Sequence, residues 1–261
     1  MLLATWNVNS IRARADRVLD WLDRTGVDVL AMQETKCRDE QFPHLAFEAA
    51  GYEVAHLGRN QWNGVAIASR VGLADVEAGF PGQPTWGDPP TAEARALGAT
   101  CGGVRLWSLY VPNGRDLANP HYEYKLAWLA ALRAAAAGWL GAEPGAKVAL
   151  AGDWNIAPRD EDVWDMAAFD GATHVSAAER AAFAAFAEAG FADPVRDRVP
   201  GIYTYWDYKQ LRFPRNEGMR IDFTLTSPAL TQRVAGARIE RNERKGKGPS
   251  DHVPVVLEIA D

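Results

Sequence analysis

Short apolar runs recur along the whole chain, and most of them stop on a polar side chain. They lie at Leu2–Val8, Val27–Gln33, Gly64–Ser69, Val104–Val111, Lys147–Gly152, Ile221–Thr226 and Val255–Ile259. Their length and their content of branched and aromatic residues predict strands. Three stretches follow the helical period instead. Ile11, Ala15, Val18, Leu19 and Leu22 fall on one face behind Asn9 or Ser10 as N-cap. Asn119-Pro120 opens a second helix running towards Gly138, with proline at the first helical position. Ser176 and Glu179 make a capping box before Phe183 and Phe186, and Gly190 can end that helix. Gly79–Pro90, GFPGQPTWGDPP, reads as a surface loop between strands. No low-complexity linker or short repeat divides the chain, so residues 1–261 are read as one domain. Strands interleaved with helices predict an α/β protein of two or more layers, with a parallel sheet as the default.

Composition narrows the class. Of 261 residues, 48% are hydrophobic and 24% charged, and 10 Trp, 7 Tyr and 9 Phe supply ample core material. Disorder is excluded for most of the chain. The start, MLLATWNVNSIRARAD, lacks the basic n-region of a signal peptide, and no stretch approaches the ~20 apolar residues needed to span a bilayer. The two cysteines, Cys37 and Cys101, form no metal-binding spacing and read as reduced thiols of a cytoplasmic protein. The formal net charge of -6 hides a segregation. Gly201–Ser250 holds ten Lys/Arg against five Asp/Glu, a local +5 that leaves -11 for the remainder. A basic segment on an acidic body suits one anionic binding face, and an unevenly charged solvated surface is the alternative.

The candidate chemistry sits where the strands stop. Leu2–Trp6 leads to Asn7 and Asn9, Val27–Met32 to Gln33 and Glu34, Leu106–Leu109 to Tyr110 and Asn113, and Val148–Gly152 to Asp153 and Asn155. Asp222 sits one residue into an apolar run, and Asp251-His252 just precedes the last strand. A lone carboxylate at a strand end is usually a turn residue. Four carboxylates, Glu34, Asp153, Asp222 and Asp251, with a single His in a Ser-Asp-His run make a different pattern. Oxygen ligands without a Cys or His cluster suit a hard cation such as Mg²⁺ or Mn²⁺ rather than zinc. A cation takes one or two of these carboxylates and leaves the others for proton transfer and positioning. Asp153 and Asn155 are two apart, so on an extended chain they face the same side.

With these residues in place, the chain resembles the exonuclease III family of apurinic/apyrimidinic (AP) endonucleases. The resemblance runs through ATWNVNSIRAR, MQETKC, GVAIASR, LYVPNG, GDWNIAP, TYWDY, GMRIDF and SDHVPV, essentially end to end. GD-x-N and SDH recur across a wider phosphoesterase superfamily, including pancreatic deoxyribonuclease, sphingomyelinases and inositol polyphosphate phosphatases. The combination of WNVNSIR, QETK, YVPNG, TYWDY and GMRID is specific to the DNA-repair branch. Trp154, where Phe is common, is a mild departure. The resemblance overrides the parallel default. It implies a four-layer α/β sandwich of two packed, mostly antiparallel sheets flanked by helices.

It also implies a Mg²⁺-dependent phosphodiesterase, with Mn²⁺ as substitute, acting as a monomer on double-stranded DNA that carries abasic sites or blocked 3′ ends. Cleavage would fall 5′ to the abasic site and leave a 3′ hydroxyl, with 3′ trimming and 3′ to 5′ exonuclease action on the same site. Glu34 would hold the metal with Asn7 and, more loosely, Asp251; Asp153 and Asn155 lie within its reach. Asp153 would deprotonate the attacking water or protonate the leaving oxygen; the residues leave both open. Asn155 would hold the water or the phosphate. His252 would donate to the phosphate with Asp222 fixing its tautomer, and Tyr110 and Asn113 would add contacts. Tyr205, Trp206, Met219 and Ile221 would wall the pocket for a baseless sugar, where flipping is easiest. Lys209, Arg212, Arg215, Arg12 and Lys36 are phosphate-contact candidates. His44, His56, His121 and His174 sit outside any motif and read as structural or surface residues. Two alternatives stand beside this reading: a superfamily phosphoesterase acting on a lipid or inositol headgroup, and a DNA-binding protein without catalysis, whose expected loss of an acid or of the histidine is not seen.

Overall fold

Leu3 packs one way and Ala4 and Trp6 the other, as the two-residue period of a strand requires. A strand that is apolar on both faces needs a layer on each side, and this decides the architecture. The computed structural model describes residues 1–260. In chain order the main elements are β1 (Leu2–Asn7), α1 (Ile11–Thr25), β2 (Val29–Gln33), α2 (His44–Ala49), β3 (Glu53–Leu57), β4 (Val65–Ser69), β5 (Ala74–Ala78), β6 (Ala96–Cys101), β7 (Val104–Tyr110), α3 (Pro120–Ala142), β8 (Val148–Asp153), α4 (Ala177–Glu188), β9 (Asp222–Thr226), β10 (Val234–Ile239) and β11 (Val255–Ile259). One sheet has the order β10-β11-β1-β2-β4-β3, the other β5-β6-β7-β8-β9.

Three apolar layers hold the sandwich together. Leu3, Val29, Ile67, Val255 and Leu257 of the first sheet meet Leu97, Leu106, Ala149 and Ala151 of the second. On the outer face of the first sheet, Trp6, Met32 and Ala66 pack against Ile11, Val18, Trp21 and Leu22 of α1 and Phe47 of α2. On the outer face of the second, Trp107, Leu150, Phe223 and Leu225 pack against Trp128, Leu129 and Leu132 of α3 and Phe186 of α4. This is the four-layer sandwich that the resemblance implied. Among the described residues, β1–β2 and β7–β8 pair parallel and the other strand pairs antiparallel, which corrects the all-parallel default.

The helix ends follow the expected chemistry at two of three places. Asn119 Oδ1 accepts from His121 N at 3.0 Å, and Ser176 and Glu179 close a reciprocal capping box. Ser10 does not cap α1. Its backbone lies at φ 86° and its N–H donates to Glu34 O, while the Asn9 side chain is engaged with Asp251 and Lys36. These residues serve the site instead of the helix.

Register brings the polar strand ends to one edge. Asn7 lies beside Gln33, Tyr110 beside Asp153, and Asp153 opposite Asp222. Gly152 makes the β7–β8 approach close: a Cβ there would sit 1.8 Å from Leu109 O. That atom is backbone and cannot swing aside, so Gly152→Ala must push the two parallel strands apart. The expected cost is about 3 kcal/mol or more, read from denaturant unfolding. An unchanged midpoint would show that the strands part freely at this point.

Candidate active site

Asp153 is the centre of the cluster. It ends β8, is 1% exposed, and accepts from Asn7 Nδ2 at 2.9 Å and from Asn155 N at 2.9 Å. His252 Nε2 stands 3.7 Å from its Oδ2. The other ring nitrogen, Nδ1, donates to Asp222 Oδ2 at 2.9 Å. Asp222 is fixed at the start of β9 by its own N–H and that of Ile221, both donating to Thr204 Oγ1 at 3.1 Å. Glu34 follows β2 in a left-handed conformation, φ 51°, and accepts from Asn7 Nδ2 at 2.8 Å and from Lys36 Nζ at 2.7 Å.

These contacts divide the protons unequally. Burial pushes Glu34 up, but the Lys36 ammonium and the Asn7 amide outweigh it and hold the carboxyl below its usual range. Burial together with Asp222 and Glu34 pushes Asp153 up to about 7, against the opposing pull of His252. Burial opposes a charge on His252, yet Asp222 and Asp153 raise it to about 10. Burial and the neighbouring Glu34 hold Tyr110 well above its ordinary value, so its phenol keeps its proton. Carboxylates with separated proton affinities mark acid–base assignments. Glu34 is the lasting anion, Asp153 the group poised to exchange a proton, and His252 and Tyr110 are donors.

Glu34, Asp153 and His252 offer ligand atoms all within 4.8 Å of one another. A histidine held as imidazolium is a poor ligand, so Glu34 and Asp153 are the part of this group suited to a hard cation. Asn7 turns its Nδ2 to both carboxylates and its Oδ1 to Asn9 N (3.0 Å), so it orients the acids in this conformation. Asp251 is drawn to Asn9, whose Nδ2 donates to its Oδ1 at 2.9 Å, and stands outside the group that can share an ion.

The remaining expected residues separate into those that meet and those that do not. Asn113 Nδ2 donates to Asn155 Oδ1 at 3.1 Å, joining the YVPNG and GDWN loops. Tyr205, Met219 and Ile221 share one apolar cluster, and the Tyr205 ring lies 4.9 Å from that of His252. Beside them is a hollow of about 220 Å³ lined by Trp164, Phe169, Tyr205, Asp207, Arg212, Glu217 and Met219. Trp206 is a correction: adjacent residues on extended backbone face opposite sides, so its ring is wholly buried in the inter-sheet core against Phe213. Lys36 is bound to Glu34 and to Asn9 Oδ1 (2.5 Å), inside the site. Arg212 is paired with Glu217 at 2.5 Å, whereas Lys209, Arg215 and Arg12 are exposed.

Two contributors were invisible to motif reading. His174, expected to be structural or surface, has Nε2 3.2 Å from both Asn155 Oδ1 and Asn113 Nδ2. Arg95 is buried, ion-paired with Glu93 at 2.7 Å, and lies 4.7 Å over the Tyr110 ring. Neither stands in a distinctive string; the only sequence signal is an arginine inside an otherwise apolar run and a histidine just ahead of a capping box.

Against known proteins, the model of the Endonuclease/Exonuclease/phosphatase family matches residues 4–252. An exodeoxyribonuclease of Bacillus subtilis (strain 168) is 30% identical over 267 residues, 99% of this chain and 99% of the relative. A solved 3′ phosphatase from Neisseria bound to product DNA hairpin superposes with TM-score 0.93 at 35% identity, covering 100% of both chains. An AP endonuclease from Archaeoglobus fulgidus superposes with TM-score 0.92 at 33% identity, covering 99% of both. No helix among the described residues is long and apolar enough to cross a membrane.

The Asp222–His252 pair makes a pH prediction with a defined sign. His252 is raised to about 10 in the fold, against ~6.5 unfolded. Its stabilising contribution is therefore complete below ~6.5 and is lost as pH rises through about 10. If donation by the imidazolium supports turnover, activity should fall on the alkaline side near that upper value. Asp222→Asn keeps a hydrogen-bond acceptor but removes the charge, and should bring the alkaline limb down by at least about one unit. A pH–rate profile with the same limb in both proteins would remove Asp222 as the source of the raised value.

Proposed function

Because this chain belongs to the endonuclease/exonuclease/phosphatase family, we propose that it is a DNA-repair phosphodiesterase that acts, as a monomer and with Mg²⁺ or substituting Mn²⁺, on double-stranded DNA. Its reaction is hydrolysis of the backbone 5′ to an abasic site, leaving a 3′ hydroxyl. Trimming of blocked 3′ ends and 3′ to 5′ degradation use the same residues. The observation that carries this reading is the convergence of Glu34, Asp153 and His252 at the strand ends, with ligand atoms all within 4.8 Å of one another. Similarity to an exodeoxyribonuclease, an AP endonuclease and a DNA-bound 3′ phosphatase supports DNA as the substrate.

The residues divide the work as their geometry suggests. Glu34 and Asp153 would hold a divalent cation, which would supply positive charge to the phosphate oxygens. His252 and Tyr110 donate to non-bridging oxygens, and both keep their protons at neutral pH. Asp153 takes the proton of the attacking water, and Asn155, on a backbone at φ 51°, holds that water or the phosphate. The hollow beside Tyr205 and Met219, with whose side chains Ile221 shares an apolar cluster, accepts a sugar without a base. Lys209, Arg215 and Arg12 meet phosphates outside the site.

Product analysis on end-labelled duplexes with one internal abasic site tests the reading. The expected result is a Mg²⁺-dependent cut 5′ to the site with a 3′ hydroxyl. Phosphate release from inositol or lipid headgroups, with intact DNA left untouched, would overturn it. Glu34→Ala should raise the Mg²⁺ requirement while abasic DNA still binds, since protein–phosphate contacts are unaffected. Asp153→Asn should lose on the order of 10²-fold or more in turnover at any metal concentration, because added metal cannot replace a proton acceptor. Equal recovery of both variants by metal would undo the division of roles.

Salt dependence separates the rim residues. Lys209→Ala and Arg215→Ala should each flatten the log–log salt slope of duplex binding by about 0.9, and weaken abasic and intact duplexes alike. Arg212→Ala should change the slope less, because Glu217 already neutralises that charge. Equal effects at all three positions would show that the Arg212–Glu217 pair opens on binding.

A further inference from the structure

Lys125 and Glu179 form an ion pair of 2.5 Å with both side chains 0% exposed, outside every motif that the reaction uses. Lys125 lies in α3 and Glu179 in the first turn of α4. Burial of such a pair is costly unless every donor and acceptor is satisfied. Here they are. Lys125 Nζ has three protons and three partners: Glu179 Oε1 at 2.5 Å, Asn155 O at 2.6 Å and Asn113 O at 3.1 Å. Glu179 Oε1 also accepts from Thr173 Oγ1 at 2.6 Å and His174 N at 3.0 Å, and Oε2 accepts from Ser176 Oγ at 2.7 Å.

Two of the backbone atoms held by the pair belong to residues in the left-handed region, Asn155 at φ 51° and His174 at φ 80°, a conformation uncommon outside glycine although Asn and His adopt it more readily than most. The side chains of these two residues and of Asn113 converge, with Asn155 Oδ1 3.1 Å from Asn113 Nδ2 and 3.2 Å from His174 Nε2. Apolar residues of the same size would avoid the desolvation of two charges but would leave Asn155 O, Asn113 O and His174 N without these partners. What the buried charges supply is a common anchor for three site loops.

We propose that Lys125 and Glu179 are positioning residues, a buried clamp that fixes the backbone of Asn155, Asn113 and His174 and thereby aims the Asn155 amide at the reacting phosphate. Neither touches substrate; both act through Asn155. The proposal rests on the reading of Asn155 as a reaction-site residue. Misplacement of such a group by about 1 Å is enough to cost up to 10²-fold in rate.

The test uses Lys125→Met/Glu179→Gln, which leaves no buried charge unpaired, beside Lys125→Met and Lys125→Arg. The folded double variant should lose about 10-fold or more in kcat on abasic duplex, with KM little changed. Lys125→Arg, which keeps charge and donors, should recover most of the loss. In an Asn155→Ala background, Lys125→Met should cost almost nothing further, because the group it positions is gone. A kcat within about twofold of the parent, or the same proportional loss in both backgrounds, overturns the clamp. Failure of both methionine variants to fold, with Lys125→Arg fully active, assigns the pair to stability and overturns it as well. A crystal structure of the double variant reads the geometry without activity: Asn155 leaving the left-handed region supports the clamp, and an unchanged backbone refutes it. A parent protein inert on DNA would count against the proposed function, while that structure would still decide the clamp.

Discussion

Two carboxylates, Asp153 and Asp222, face each other across β8 and β9 at 1% exposure, and the rest of the site is arranged to make that burial tolerable. A carboxylate in a dry interior must be paired, hydrogen-bonded or protonated. Asp222 has His252 and takes the first course. Glu34, at the next strand end, has Lys36 and Asn7. Asp153 has only the amide of Asn7, the N–H of Asn155 and a histidine at 3.7 Å that is already committed to Asp222. Its neutralisation is the incomplete one, and its proton affinity rises accordingly. That proton affinity is the remainder of an electrostatic balance set by strand register.

That register also explains why the chemistry was legible along the chain and parts of the scaffold were not. Central strands such as Val29–Gln33 and Val148–Asp153 are buried at every position, so they appear as continuous apolar runs that stop where polar residues begin. The strands that pattern reading overlooked lie mostly at sheet edges. Ala74–Ala78 is exposed throughout, Glu53–Leu57 is nowhere fully buried, and Val234–Ile239 is interrupted by a bulge. Ala96–Cys101 is central, but its small residues, Ala and Gly among them, carry little strand signal. The four-layer arrangement came from resemblance; periodicity alone would have laid the strands parallel.

Within the site, the residues legible in sequence are those whose type is unusual for a strand end. Those that were not legible act through contacts that no string encodes. His174 reaches Asn155 because Ala157 N donates to its carbonyl and Glu179 receives its N–H. Trp206 erred in the opposite direction: its motif marks the pocket, but the alternation of side chains places Tyr205 at the wall and the indole in the core. Position in a motif names a neighbourhood, and only backbone direction assigns a face.

The same distinction applies to charge. The ten basic residues of Gly201–Ser250 suggest a broad cationic face, yet many are spent inside the protein. Arg212 is paired with Glu217, Arg220 with Asp193 and Arg238 with Glu240, while Arg244 is buried, donates to Trp206 O and lies over the Tyr208 ring. Arg241 lies over Phe213. Arg212, Arg241 and Arg244 shape the loop that carries Tyr208, Lys209 and Arg215 more than they extend its field. What remains exposed there is a small group, Lys209, Arg215, Lys245 and Lys247, on a chain whose net charge is negative. Repulsion between the acidic body and a polyanion grows with the length of duplex in contact, whereas attraction from so few cations is local. Such a distribution suits contact with a few phosphates rather than with a long stretch of duplex.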